Sequence, residues 1–377
     1  MITNKIRIPE LKISASEFGS ILIAAYLILN LYMRFIKNNV FSRGLCIVFL
    51  ILGSIPGLVL LVKKNNKKTL AYLCVLLLSW CCTFNFKNGV YDFKDLIYTI
   101  CYIGMASLFL YTKPKSNIFM WIFYLSLIIV MGKYIYIGGQ FREILIDESS
   151  YNYISVILIA YFGIYYILRF NEKKEIRIIH TFILFIICLL AYGRGGIITS
   201  ASLFFMTVSK ETFVRKMKKE KALFLIVMIS IAVLITPKLI DFIQIHGLLG
   251  KFTNKTISNE VRLLYWKDYL FASSESLGKL MLGADPFLIR YDGNLHNSFL
   301  QMYAYFGMPF FLMNVYLLIK VAIKLMVEKD YYKLILLTTI VLRGMTDKTM
   351  FRGITEIVYF YYIFEYFVML NRAESYI

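Results

Sequence analysis

Charged residues are scarce in this chain. Asp, Glu, Lys and Arg together make up 17% of its 377 residues, whereas 59% are hydrophobic. A soluble fold of this length needs far more polar surface to cover its core, and a disordered chain carries far less apolar content, so both classes are excluded. Histidine is limited to His180, His246 and His296, and neither CxxC nor HExxH spacing occurs. The ligand sets of structural zinc sites and of zincin-type hydrolases are therefore missing, and no metal or other cofactor is expected. The six cysteines, Cys46, Cys74, Cys81, Cys82, Cys101 and Cys188, all stand in apolar runs, where a thiol behaves as a small hydrophobe, and no disulfide framework is expected. No internal repeat, low-complexity tract or Pro/Ser-rich linker marks a separate soluble domain, so residues 1–377 are read as one integral membrane domain.

What the chain has in abundance is apolar length. Twelve bilayer-spanning helices of about 20 residues would use about 240 residues, close to the apolar content. Apolar runs bounded by charged or Asn/Gly/Pro clusters lie near 18–33, 43–62, 69–86, 95–112, 117–137, 151–170, 176–192, 195–209, 222–236, 297–324, 332–345 and 353–370. The expected fold is an all-α polytopic membrane protein of about 12 transmembrane helices. Only Gly193-Arg194 separates the seventh and eighth runs, which reads as a tight hairpin or one interrupted helix, and the charge pattern favours the hairpin. The first seventeen residues contain Glu10 and Glu17 and no apolar core ending in a small-residue cleavage site, so the first helix is expected to remain as an anchor.

The net charge of +19 would suggest nucleic acid in a soluble chain, but here it first reports topology and attraction to membrane lipids or an anionic substrate, and no nucleic-acid partner is expected. With the amino terminus cytoplasmic, the tail and loops 63–68, 113–115, 169–177, 210–221, 320–333 and Arg372 carry 24 Lys and Arg. The opposite loops 34–43, 87–94, 133–142, Arg194 and 343–352 carry 11. Both termini are thus expected in the cytoplasm, and residues 237–295 form one large extracytoplasmic loop. In that loop EVRLLYWKDYLF places Val261, Leu264, Tyr265 and Trp266 on one face, the pattern of a short amphipathic helix on the membrane surface.

Four positions could carry chemistry. Arg194, inside YGRGG, is a charge at a span boundary that either snorkels from an ordinary turn or meets an anion where flanking glycines allow close approach. Arg262 either pairs with its neighbours on a solvated helix face or joins Arg194 in holding a diphosphate, which guanidinium groups do bidentately. His296, in DGNLHNSFLQMYAYFG, is either a polar cap residue or a base poised near neutral pH, with Asn294 or Asn297 capping a helix that begins near Ser298. Asp347, flanked by Arg343, Lys348 and Arg352, is either a loop ion pair or the group that orients His296 or binds a sugar hydroxyl. The first outward loop, RFIKNNVFSR, holds no Asp or Glu, and no DxD motif occurs, which counts against metal-dependent lipid-linked glycosyltransferases.

A Gly-Arg-Gly turn opening a helix, an Arg-x-x-x-Trp element in an outward loop, and then LHNSFLQMYAYFG before a long apolar helix resemble the O-antigen polymerase and O-antigen ligase superfamily of bacterial envelopes. Arg194, Arg262, His296-Asn297, Leu300, Gln301 and Gly307 match in order, and Asp347 matches a late acidic position, over roughly residues 150 to 365. One departure is Gly193, where such proteins carry a serine. The resemblance implies a plasma-membrane glycosyltransferase of the C-like architecture, inverting and metal-independent, that joins undecaprenyl-diphosphate-linked oligosaccharide repeat units for O-antigen or capsular polysaccharide. It further implies His296 as catalytic base, and Arg194, Arg262, Asn297, Gln301 and Asp347 as substrate-binding residues. A flippase and a chain-length regulator are the implied protein partners. A ligase acting on a lipid A core, a transporter for lipid-linked sugar, and a non-catalytic scaffold or receptor are the alternatives.

Overall fold

The computed structural model describes residues 14–64, 67–87, 93–138, 152–174, 176–191, 193–214, 257–289, 293–349 and 353–374, and among them every regular element is a helix. Helices α1 (Ala15–Phe35), α2 (Val40–Lys63), α3 (Lys67–Phe86), α4 (Phe93–Thr112), α5 (Ser116–Tyr136) and α6 (Asn152–Asn171) follow one another through short connections. After α7 (Ile178–Leu190) and α8 (Arg194–Ser209) come three helices of the long loop segment, α9 (Ile257–Ser274), α10 (Leu277–Leu282) and α11 (Pro286–Ile289). The chain closes with α12 (Ser298–Val327), α13 (Tyr331–Thr346) and α14 (Thr355–Glu374). Seven described helices, α1 to α6 and α12, are long and apolar enough to cross a membrane. Helices α1 to α8 and α12 to α14 overlap expected apolar runs, α9 to α11 fall between them, and the run at 222–236 lies outside the described residues, as does His246.

Helix starts follow local chemistry. Ser14 and Glu17 form a reciprocal capping box at α1, and Asn39 and Ser42 do the same at α2, satisfying amide donors that bilayer lipid could not. Helix α6 carries apolar and aromatic side chains all round and is buried from Ile154 to Leu168, as a helix without a polar face must be when it is enclosed by others. Helix α14 is its counterpart, buried from Thr355 to Phe364. Buried polar bonds join the helices: Tyr72 on α3 and Tyr359 on α14 both donate to Asn314 Oδ1 on α12, at 2.8 and 2.7 Å. Such bonds inside a membrane bundle contribute about 0.6 kcal/mol each. Helices α2 and α4 meet at Gly57, where a Cβ would stand 1.9 Å from Gly104 O, so small residues let the two backbones touch.

One expectation needs correction. The run at 297–324 is one helix broken inside: Gly307 takes φ 74° and ψ 174°, and Pro309 follows. Proline has no N–H and glycine alone adopts this conformation cheaply, so the hydrogen-bond ladder stops, and the short segment before the break is free to tilt. Lys87, at the end of α3, donates to the carbonyl of Ala304 at 2.6 Å, meeting an acceptor at that break. The amphipathic helix is present within α9, but Leu264 is exposed together with Leu263, Leu270 and Phe271. The face turned to the protein carries Tyr269, which is buried, with Tyr265 and Trp266 half-buried. Aromatics with a polar tip pack and bond to the loop, leaving the aliphatic side outward. The side chain of Val261 lies outside the described set.

Candidate functional site

At one end of the bundle the starts of α6, α8 and α12, the end of α13 and the body of α9 come together. The segment ahead of α12 is clamped first. Gln301 accepts the N–H of Leu295 at 3.0 Å and donates to the carbonyl of Gly293 at 2.9 Å. Trp266, one turn along α9 from Arg262, donates its indole N–H to Leu295 O at 2.7 Å. Asn297 caps α12, its Oδ1 accepting from the N–H groups of Phe299 and Leu300. The amide side chains of Asn297 and Gln301 are thus engaged with backbone, and both residues are buried.

This clamp sets His296 in a left-handed backbone conformation, φ 50°, with its N–H donating to Asn294 Oδ1 at 2.9 Å. A non-glycine residue there costs of order 1 kcal/mol, and such strain is characteristic of sites where side-chain direction matters. The direction here is toward Asp347: His296 Nδ1 lies 3.4 Å from Asp347 Oδ1. Asp347 is the residue after α13, and its carbonyl accepts from Ser298 Oγ at 2.9 Å while Ser298 Oγ accepts from Thr349 N–H at 2.9 Å. The first residue of α12 and the turn after α13 are therefore locked together, and the imidazole and carboxylate with them.

Electrostatics keep Asp347 ionised. Burial alone would push its pKa up, but the hydrogen bond from His296, the Arg343 guanidinium and the N–H of Lys348 outweigh burial and hold it below the usual carboxylate range. Arg343 Nη2 stands 3.7 Å from Asp347 Oδ2. A carboxylate at Nδ1 favours the tautomer with its proton on that nitrogen, leaving Nε2 as an acceptor. His296 keeps 19% of its side-chain surface exposed.

Arginines stand beside the pair. Arg343, 1% exposed, donates to Thr346 Oγ1 at 3.0 Å and to Asn152 O at 3.1 Å. Arg262 donates to the carbonyl of Thr346 at 3.2 Å, so two guanidiniums from different helices converge on one threonine. Arg194 is the first residue of α8 and is half-buried. Its neighbour Gly195 presses against the same place, since a Cβ there would lie 2.7 Å from Thr346 Oγ1 and 3.0 Å from Arg343 Nη1. A Cβ on Gly193 would stand 2.5 Å from Asn152 Oδ1, so an amide from α6 occupies the space a serine would need. Hairpin packing holds this turn, with Phe182 and Phe185 of α7 against Phe204 of α8.

The structure thus brings His296, Asp347, Arg262 and the Arg194 turn to one place, and assigns Asn297 and Gln301 bonds to backbone. Sequence reading offered a loop ion pair for Asp347 with Arg343 beside it, and the structure has that pair at 3.7 Å, but it missed the burial of Arg343 and the bonds to Thr346 and Asn152; nothing local pointed to Asn152, 191 positions away. Lys348 was also missed: it donates to Tyr305 OH at 2.8 Å and lies 4.8 Å above that ring. His180, given no role, is buried between Tyr124 and Tyr165, bonded at 2.6 and 3.1 Å. Compared with known families and with curated proteins, the chain matches none.

Proposed function

We propose that this protein is a plasma-membrane oligosaccharide polymerase of the O-antigen or capsule type. It has about twelve spans, both termini in the cytoplasm and residues 237–295 outside. The carrying observation is the contact between His296 and an ionised Asp347, with Arg343 3.7 Å from that carboxylate and Arg262 bonded to the carbonyl of the preceding residue. In the proposed reaction the hydroxyl oxygen of one lipid-linked chain attacks the anomeric carbon of another. The bond from that carbon to the diphosphate oxygen breaks, and the hydroxyl proton passes to His296 Nε2. One in-line displacement inverts the centre. The diphosphate of the undecaprenyl carrier leaves as an anion, and it needs charge stabilisation rather than an acid, which Arg194 and Arg262 supply. Arg343 and Asp347 hold the imidazole in its acceptor tautomer.

The test is polysaccharide length on a gel, from a deletion strain carrying wild type or His296→Asn at equal membrane levels. A full ladder with wild type and single repeat units with the variant supports a polymerase with a histidine base. Loss only of attachment to a lipid core, with lipid-linked polymer retained, would make the protein a ligase. A full ladder from the variant would remove the mechanism.

A further inference from the structure

Away from that site, a cavity of about 330 Å3 opens between α1, α2 and α4, at the lower end of the range for small-ligand sites. It lies at the same end of the bundle, since Lys87, closing α3 just before α4 begins, bonds the first segment of α12. The Gly57–Gly104 contact pins α2 and α4 together mid-length, and the cavity occupies the space between their first turns and the last turns of α1. Its mouth carries three cations, Arg34 at the end of α1, Arg43 on α2 and Lys94 on α4. Arg43 is held there by donating from Nε to Asn38 Oδ1. Asp95, buried in the first turn of α4, is the one acidic residue among the described residues of the lining. The floor is polar without charge: Tyr26 and Tyr102 share a hydroxyl–hydroxyl bond of 2.9 Å, beside Asn30.

We infer that this cavity holds the phosphate headgroup of an anionic phospholipid. Among the described lining residues three cations against one carboxylate leave a positive surplus that favours an anion, and a headgroup that carries a hydroxyl next to its phosphate suits a lining of both signs. The wall of α2 supplies the apolar continuation: Ile47 lines the cavity and is exposed, and Ile51 and Ile55 continue the exposed stripe along the helix for an acyl chain. Phosphatidylglycerol has this chemistry. The site is independent of the polymerase reading, for none of its residues belongs to the His296 cluster.

The experiment uses the full-length protein in nanodiscs of phosphatidylcholine with a minority of phosphatidylglycerol, re-extracted and weighed intact to count retained lipids. Wild type is expected to retain phosphatidylglycerol in preference. The double variant Arg43→Gln/Lys94→Gln, at exposed positions, should lose that retention about tenfold. Ile47→Trp, which fills the apolar wall with every charge in place, should lose it too. Unchanged retention in both variants, or equal retention of the two lipids by wild type, overturns the inference. Inorganic phosphate separates the sources: thermal stabilisation by millimolar phosphate that vanishes in the double variant would make this a free-anion site and overturn the lipid assignment, while no stabilisation supports the lipid.

Discussion

Asp347 concentrates more of the local chemistry than its size suggests, since it touches His296, Arg343 and the backbone of Lys348 at once. Asp347→Asn keeps the volume and removes the charge, so the imidazole loses the group that selects its tautomer and Arg343 is left buried beside an amide. On the proposed function, polymerisation should fall about 100-fold or more at unchanged membrane levels, read as ladder intensity over time. The same carboxyl titrates lower in the folded chain than in the unfolded one. Its stabilisation is therefore full above the ordinary aspartate pKa of about 3.9 and is lost as pH falls through the folded value. The melting temperature of wild type should drop more steeply than that of Asp347→Asn on acidification below about pH 5. At the Arg194 turn, Gly193→Ser should lower the melting temperature by itself and be well tolerated together with Asn152→Ala, because the added atoms then take the space of the amide. Additive losses in the double variant would refute that account.

At the scale of elements, the break in α12 decides where the site sits. Residues Ser298 to Phe306 form a short helix whose start carries the Asn297 cap and whose end is met by Lys87. Burial pushes the Lys87 ammonium down to about 7, with Asp285 opposing. A lysine whose folded pKa lies below its unfolded value favours the folded state more as pH rises, here from about 7 toward about 10.4. Thermal stability should climb over that window in wild type and climb less in Lys87→Met. Gly307→Ala should be costly for two reasons: φ is 74°, and a Cβ would stand 3.0 Å from Met281 O. The expected loss is of order 1–3 kcal/mol in denaturant unfolding, and on the proposed function the ladder shortens because the tilt of the His296 segment changes.

At the scale of the molecule, apolar run length carried the helix positions, because bilayer hydrocarbon imposes a length that any sequence must show. The break at Gly307 hid inside an apolar run for the same reason, as hydropathy is blind to φ even where Gly-Met-Pro announces it. His296, Asp347 and Arg262 were legible because each is a polar exception in its context. The bond from Arg343 to Asn152 was not, since it depends on α6 and α13 meeting end to start. The amphipathic pattern of α9 was legible, but the inward turn of Tyr265 and Trp266 was not, because amphipathicity gives the orientation of a helix only when its partner is known. A reporter fused after residue 270 should read as extracytoplasmic; a cytoplasmic readout would invert the topology and remove the proposed reaction from the outer surface.

The left-handed backbone at His296 also shapes how such a gene decays. Side chains that accept this conformation most readily, apart from glycine, are asparagine and aspartate, and both lie one nucleotide substitution from either histidine codon. The shortest mutational step away from a base thus yields a chain whose loop, cap and guanidinium groups remain in place. An allele of that kind would still fold and, on the proposed function, still hold lipid-linked donor without consuming it. Carried beside a working copy, it would compete for carrier lipid instead of simply falling silent.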